Sequence, residues 1–300
     1  MGGSVTQSKG IVEATTGTYL GSPLPPGVEE RLVDAGGVRF RYLTGGAGPG
    51  RPVIFLHGWP TWGEVWLPLT REIGVRHPWV APDLPGQGRS SALPGADRSL
   101  PAHRRAIAAF ADALGFPNYA VVGNSMGGTL AIMLALDRPG RVSQIAVLDA
   151  AGLTEKFPGR TARMYLPFLL PCLLRAPGPG SVRSLLAKAV FYDAHYADDA
   201  WVNAIVEGWK PHDRRRGLMA IGFALRRPDA SVAAELHRIG VPTLILSGRE
   251  DRQFLWQTAE EASHRVPRSQ FGVIERAGHF PMVEQPSETA RRVSEFLDSG

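Results

Sequence analysis

The sequence predicts a mainly parallel, eight-stranded α/β sheet with helices on both faces and a helical insertion past its middle. Three observations predict it. From Pro52 onward, apolar runs of strand length (PVIFLHG, WVAPDLPG, YAVVGNS, VSQIAVLDA, PTLILSG and FGVIERAG) are separated by stretches with helical periodicity. That alternation is the mark of a parallel sheet covered on both faces. Ahead of them, RLVDAGGVRFRYLTGG carries two alternating segments around Gly36 and Gly37, which read as a hairpin. Between Gly152 and His237 the rhythm breaks: helical periodicity with repeated prolines and aromatics continues without a convincing strand.

In chain order, residues 1–28 are rich in Gly, Ser, Thr and Pro and end in GSPLPPG, which predicts an extended arm. The core is expected over 29–151 and 238–300, and the helical insertion over 152–237. Helices are expected at TWGEVWLPLTREI, LPAHRRAIAAFADALG, MGGTLAIMLALDRP, WQTAEEASHRV and SETARRVSEFLDS. Within the insertion, YLPFLLPCLL is apolar on all sides. Its ten residues and two prolines suit a pocket wall better than a membrane element, since a spanning helix needs about 18 apolar residues or more.

At 300 residues, 44% hydrophobic and 20% charged, the chain can bury a sizeable core. The net charge of +5 comes from 29 Arg and 4 Lys against 28 acidic residues. The densest basic run, DRRRG (213–217), has no interleaved aromatics and no nucleic-acid motif, so it reads as a solvated face. The single Cys172 excludes an internal disulfide and any multi-cysteine zinc site. The N-terminal MGGSVTQSKG has no charged start leading into an apolar core, so a cytoplasmic protein is expected, without a membrane or nucleic-acid partner.

Open α/β sheets bind ligands at the carboxyl ends of their strands, so the polar residues following each predicted strand are the first candidates. HGWP (57–60) follows PVIFL, GNSMGG follows YAVV, REDRQ (249–253) follows TLILSG, and GHFPMVEQP (278–286) closes FGVIERA. GNSMGG sets Ser125 at G-x-S-x-G spacing, a pattern that by itself also suits any tight strand-to-helix turn. A catalytic serine needs a base, an acid that holds the base in one tautomer, and donors for the oxyanion. Ser125, Asp251 and His279 supply nucleophile, acid and base. By position, the oxyanion donors are the backbone N–H groups of Met126, at a helix N-terminus, and of Trp59.

Asp149, after VSQIAVL, is the alternative acid, with a loop hydrogen bond as its plainer reading. His57 is expected to support its own loop, and Asp83 to order PGQGRS. The glycines of LTGGAGPG and LPGQGRS lack the ending of a phosphate loop, and no His and carboxylate cluster has metal-ligand spacing. No cofactor or metal is therefore expected.

On these motifs, together with PDLPGQGRS (82–90), the sequence resembles the α/β-hydrolase superfamily, in the serine-nucleophile branch with a helical cap between the sixth and seventh strands. The resemblance extends from about Glu29 to the end. It implies an acid after the seventh strand, at Asp251, in the commoner arrangement, and after the sixth, at Asp149, in some members. HGWP also resembles epoxide hydrolases and haloalkane dehalogenases, which attack with an aspartate; Ser125 at the elbow disfavours that chemistry, although Tyr165, Tyr192 and Tyr196 could match ring-opening acids.

The expected substrate is therefore an ester or lactone of a mid-sized, largely apolar molecule. Tyr165, Phe168, Phe191, Tyr192 and Trp201 are the candidate pocket residues. The resemblance also leaves open carbon–carbon bond cleavage, non-hydrolytic elimination or acyl transfer in secondary metabolism, and a small-molecule receptor with little turnover. A monomer or homodimer is expected.

Overall fold

Val53 and Phe55 turn to one face of the sheet and Ile54 and Leu56 to the other, so one fully buried four-residue strand feeds two separate cores. The computed structural model describes residues 13–15, 18–19, 22–154 and 178–299. Its strands are β1 (Glu13–Thr15), β2 (Thr18–Tyr19), β3 (Ser22–Pro23), β4 (Glu29–Ala35), β5 (Val38–Gly45), β6 (Val53–Leu56), β7 (Trp79–Pro82), β8 (Tyr119–Asn124), β9 (Val142–Leu148), β10 (Thr243–Gly248) and β11 (Ser269–Ile274). The main sheet runs β1-β4-β5-β7-β6-β8-β9-β10-β11. From β7 to β11 every pairing is parallel, while β1, β4 and β5 pair antiparallel.

The eight expected strands are β4 to β11, and the arm adds a ninth. Glu13 pairs with Leu32 and Thr15 with Glu30, closing the free edge of β4. EAT has no alternating pattern of its own, so the strand exists through its partner. The β4–β5 hairpin closes at Ala35 and Val38 through Gly36 and Gly37, whose φ values of 58° and 77° meet the two positive angles of a type I′ turn.

On one face of the sheet, α2 (Leu100–Ala113) and α3 (Met126–Asp137) bring in Ile107, Phe110, Leu130 and Leu134. On the other, α1 (Leu67–Ile73) and the last helix, Pro286–Asp298, contribute Leu69, Ile73, Val293 and Phe296. Each such side chain contributes about 1.5 to 3 kcal/mol on burial. The chain leaves β6 toward β7 on one side and returns to β8 on the other, so β6 and β8 flank a switch in strand order. Their carboxyl ends enclose the crevice where ligands bind in such sheets.

The described part of 152–237 contains the helices Pro179–Leu185, Asp199–Trp209 and His212–Ala224, a π-helical turn at Leu186–Val190, and no strand. Among the described residues, no helix is long and apolar enough to cross a membrane.

Candidate active site

Ser125 stands between β8 and α3 with φ 54° and ψ −117°, a conformation that costs a non-glycine residue about 1 to 3 kcal/mol. Its neighbours explain how it is held. A Cβ on Gly123 would lie 2.2 Å from the Gly127 carbonyl oxygen, and one on Gly127 would lie 2.0 Å from the Leu56 carbonyl oxygen. The absence of both side chains lets α3 begin directly against the end of β6. The same approach brings HGWP to the serine: a Cβ on Gly58 would be 3.0 Å from Ser125 Cβ. Met126, the first residue of α3, carries a backbone N–H with no acceptor inside its helix. Trp59 lies on the facing turn, its indole Nε1 donating to the Leu218 carbonyl at 3.0 Å.

His279 and Asp251 follow β11 and β10 and meet directly. Nδ1 of His279 donates to Oδ2 of Asp251 at 2.8 Å, while Oδ1 of Asp251 accepts from the Gln253 N–H at 2.6 Å. Both residues are buried, and Ser125 is 8% exposed. The imidazole is flanked by Phe254 and Phe280, each with its ring centroid 5.5 Å away. Asn124 links this loop to the elbow, its Nδ2 donating to the carbonyls of His279 at 3.0 Å and Leu148 at 3.1 Å. The sequence motif holds Asn124, but nothing in its spacing marks that role.

Asp149 lies at the end of β9 with φ 45°. Its Oδ1 accepts from the Gly248 N–H at 3.0 Å, and its buried carboxyl neighbours that of Asp251, to which its neutral form can donate. Burial, followed by the nearby charge of Asp251, pushes its carboxyl well above the usual range. The carboxylate that reaches the imidazole is therefore Asp251, and Asp149 sits beside it favouring its neutral form. Glu284, three residues past Pro281, was not singled out by the sequence. It is buried, and burial pushes its carboxyl up to about 7 against the pull of the Asp193, Gly278 and Tyr192 amides.

His57 has both ring nitrogens engaged. Nε2 accepts from the Leu84 N–H at 2.8 Å, so Nδ1 carries the proton and donates to the Gly58 carbonyl at 2.8 Å. Burial, ahead of the opposing effect of Asp83, pushes its pKa down to about 4. We expect nitrogen NMR to show the neutral Nδ1–H tautomer from about pH 8 to about pH 5, where a free imidazole would have titrated near 6.5. An imidazolium midpoint at or above 6 would contradict this bonding. The unfolded chain takes up the extra proton between those two values. The stabilising contribution of His57 is thus complete above about 6.5 and is lost as pH falls through about 4.

Asp83 accepts from the Gly63 N–H through Oδ1 and the Arg89 N–H through Oδ2, both at 2.8 Å. Beneath it, the buried Arg41 bonds Glu30 at 2.6 Å and Glu64 at 2.7 Å, with Asp83 at 3.3 Å. Burial alone would weaken that guanidinium's charge, yet Asp83, Glu64 and Glu30 together hold its pKa well above the ordinary arginine value.

Of the pocket candidates, Phe191 and Trp201 are buried in an aromatic cluster with Phe280, at centroid distances of 5.8 Å and 6.3 Å. Tyr192 is 40% exposed, and its backbone N–H donates to Glu284 at 2.7 Å. Tyr165 and Phe168 lie outside the described residues. The Tyr196 hydroxyl donates to the Glu284 carbonyl at 3.0 Å. A cavity of about 370 Å³ opens beside the Pro60–Glu64 loop, with Trp62, Trp209, Leu218, Arg89 and Arg214 in its wall. Ser125, His279, Phe191, Tyr192 and Trp201 are not part of that wall. Among the described residues, no group of three or more His, Cys, Asp or Glu side chains is arranged to hold a metal ion.

A family profile described as alpha/beta hydrolase fold matches residues 51–286. The chain belongs to the α/β-hydrolase family. Relatives of this α/β-hydrolase carry hydrolase names, and it is an enzyme of that broad kind. It is 27% identical to the 2-hydroxy-6-oxo-6-(2'-aminophenyl)hexa-2,4-dienoic acid hydrolase of Metapseudomonas resinovorans, over 89% of this chain and 90% of that protein. It is 23% identical to the monoacylglycerol lipase abhd6-A of Xenopus laevis, over 91% and 83% of the two chains. Among solved structures, a bacterial membrane phospholipase A described as a virulence factor superposes with a TM-score of 0.78 and 28% identity, over 91% and 86% of the two chains.

Proposed function

We propose that the protein hydrolyses an ester or lactone of a mid-sized, largely apolar molecule, with Ser125 as nucleophile, His279 as base and then acid, and Asp251 orienting His279. The observation that carries this reading is the 2.8 Å bond from His279 Nδ1 to Asp251, in a loop that Asn124 ties to the serine elbow. Ser125 Oγ attacks the carbonyl carbon as its proton passes to His279 Nε2. The oxyanion is received by the Met126 N–H, with that of Trp59 as second donor; one such donor is worth about 2.7 to 4 kcal/mol. Collapse expels the leaving group with the proton from His279, leaving an acyl group on Ser125. Water, deprotonated by His279, then releases the acid and restores the serine. The segment 152–237 serves as a cap over the core formed by 29–151 and 238–300, and supplies apolar walls.

The identity to a hexa-2,4-dienoic acid hydrolase favours a second reading, in which the same residues attack a ketone and break the adjacent carbon–carbon bond. One experiment addresses both. A fluorophosphonate is expected to label Ser125 stoichiometrically, and turnover in heavy-oxygen water is expected to leave one labelled oxygen in the acid product. Preference for a 2-hydroxy-6-oxo-dienoate over a panel of activated esters would select the second reading. If Ser125 forms no adduct and neither substrate class is turned over, the hydrolytic reading fails and passive ligand binding takes its place.

A further inference from the structure

The loops carrying Asp251 and His279 both grip one short stretch of the insertion, Leu186–Asp193. The His279 N–H donates to the Val190 carbonyl at 2.8 Å. Arg252, next to Asp251, sends Nη1 to the carbonyls of Ala187 at 3.2 Å, Lys188 at 3.1 Å and Phe191 at 3.3 Å. Glu284 takes the opposite polarity. Its Oε1 accepts from the N–H groups of Tyr192 at 2.7 Å and Asp193 at 3.1 Å, and its Oε2 accepts from the Gly278 N–H at 2.6 Å. One carboxylate therefore joins the amide just before His279 to two amides of the insertion.

The charges fit the backbone they meet. The Leu186–Val190 turn ends in carbonyls, which the guanidinium serves, and the amides beyond it fall to the carboxylate. The fit is also tight: a Cβ on Gly278 would lie 2.3 Å from the Val190 carbonyl oxygen and 2.7 Å from the Tyr192 nitrogen. The backbone at 278–279 thus has little freedom to move independently of the insertion.

We propose that Glu284 is a positioning residue for His279, and that through it the Leu186–Asp193 stretch holds the catalytic base in place in addition to contributing to the cap. This deepens the hydrolytic reading and rests on His279 being the base. Glu284 touches no reacting atom. It acts through the Gly278 amide, setting where the imidazole stands relative to Ser125.

The test is Glu284→Gln, measured above pH 8 where the Glu284 carboxylate is ionised. The amide has one acceptor oxygen, so its NH2 must face either Gly278 or the Tyr192 and Asp193 pair. On an activated ester, kcat is expected to fall about 10- to 100-fold with KM changed less than about twofold, the scale on which small misplacements of a catalytic group act. Fluorophosphonate labelling of Ser125 should slow by the same factor, and Glu284→Asp, which keeps both oxygens, should recover part of the rate. A variant with a lower Tm but unchanged kcat and labelling rate would overturn the proposal and leave Glu284 a purely structural anchor. If Glu284→Gln does not fold, Glu284→Asp decides: a smaller loss in kcat at constant KM with labelling slowed by the same factor supports the proposal, and an unchanged kcat and labelling rate overturn it. Absence of labelling in the wild-type protein would defeat the hydrolytic reading itself, a different result from equal labelling of wild type and variant.

Discussion

Replacing Ser125 by Ala is expected to lower kcat about 10⁴- to 10⁶-fold with little change in thermal stability. Alanine keeps the Cβ that already sits at φ 54°, so the elbow retains its shape and loses only the attacking oxygen. Asp251→Asn should cost about 10⁴-fold, since an amide can hold the imidazole in the wrong tautomer. Groups that act on one bond are not additive, so Ser125→Ala combined with His279→Ala should be no slower than Ser125→Ala alone. Steady-state turnover of an activated ester measures all three. The assignment would be refuted by a double variant that loses the product of the two single effects, or by Ser125→Ala retaining more than a few per cent of activity.

The second large effect lies away from the serine. Arg41→Met should destabilise the fold by about 3 to 5 kcal/mol, because it leaves Glu30, Glu64 and Asp83 buried without their shared cation. Arg89 also pairs with Glu30 and Glu64, but it is half-exposed and cannot replace a guanidinium that is 1% exposed. In a chain of this size the change corresponds to a drop in Tm of roughly 10 °C. The loss should narrow at acid pH: burial and then Asp83 already push the Glu64 carboxyl upward, and protonation would relieve the unpaired charge. Activity should fall as well, since Asp83 orders Gly63 and Arg89, and Leu84 beside it donates to His57 in the HGWP turn facing Ser125. Calorimetry at two pH values checks the claim, and a Tm within about 2 °C of wild type at neutral pH would refute it.

What the sequence could convey follows from how each feature is encoded. Strands β6 to β10 are short apolar runs buried on both faces, so hydrophobicity alone marks them. Ser125 and Asp251 follow two of these runs, β8 and β10, and His279 lies in the loop after the less buried β11, which makes them candidates by position. Glu284, Asn124 and Arg252 act on backbone amides and carbonyls of segments far along the chain, and no spacing in the sequence records those partners. The same is true of β1, which pairs with β4 without any pattern of its own. Tyr192 was readable as an aromatic in the insertion, but its backbone bond to Glu284 and its exposure were not. His57 was readable as loop support because it lies within HGWP, and its two hydrogen bonds give the physical content of that role.

The strand order also carries a consequence for the protein during its synthesis. Residues 29–148 supply six neighbouring strands, β4 to β9, whereas β10 returns to pair with β9 through Thr243 and Ile145 only after the whole insertion has been made. Domains generally fold as units, so this sheet consolidates only once β10 and β11 are available. The elbow around Ser125 is therefore completed late, when Asn124 gains the His279 carbonyl to which it donates. The proposed nucleophile, acid and base would thus come together in one closing step, and a partly made chain would hold Ser125 without its proposed partners.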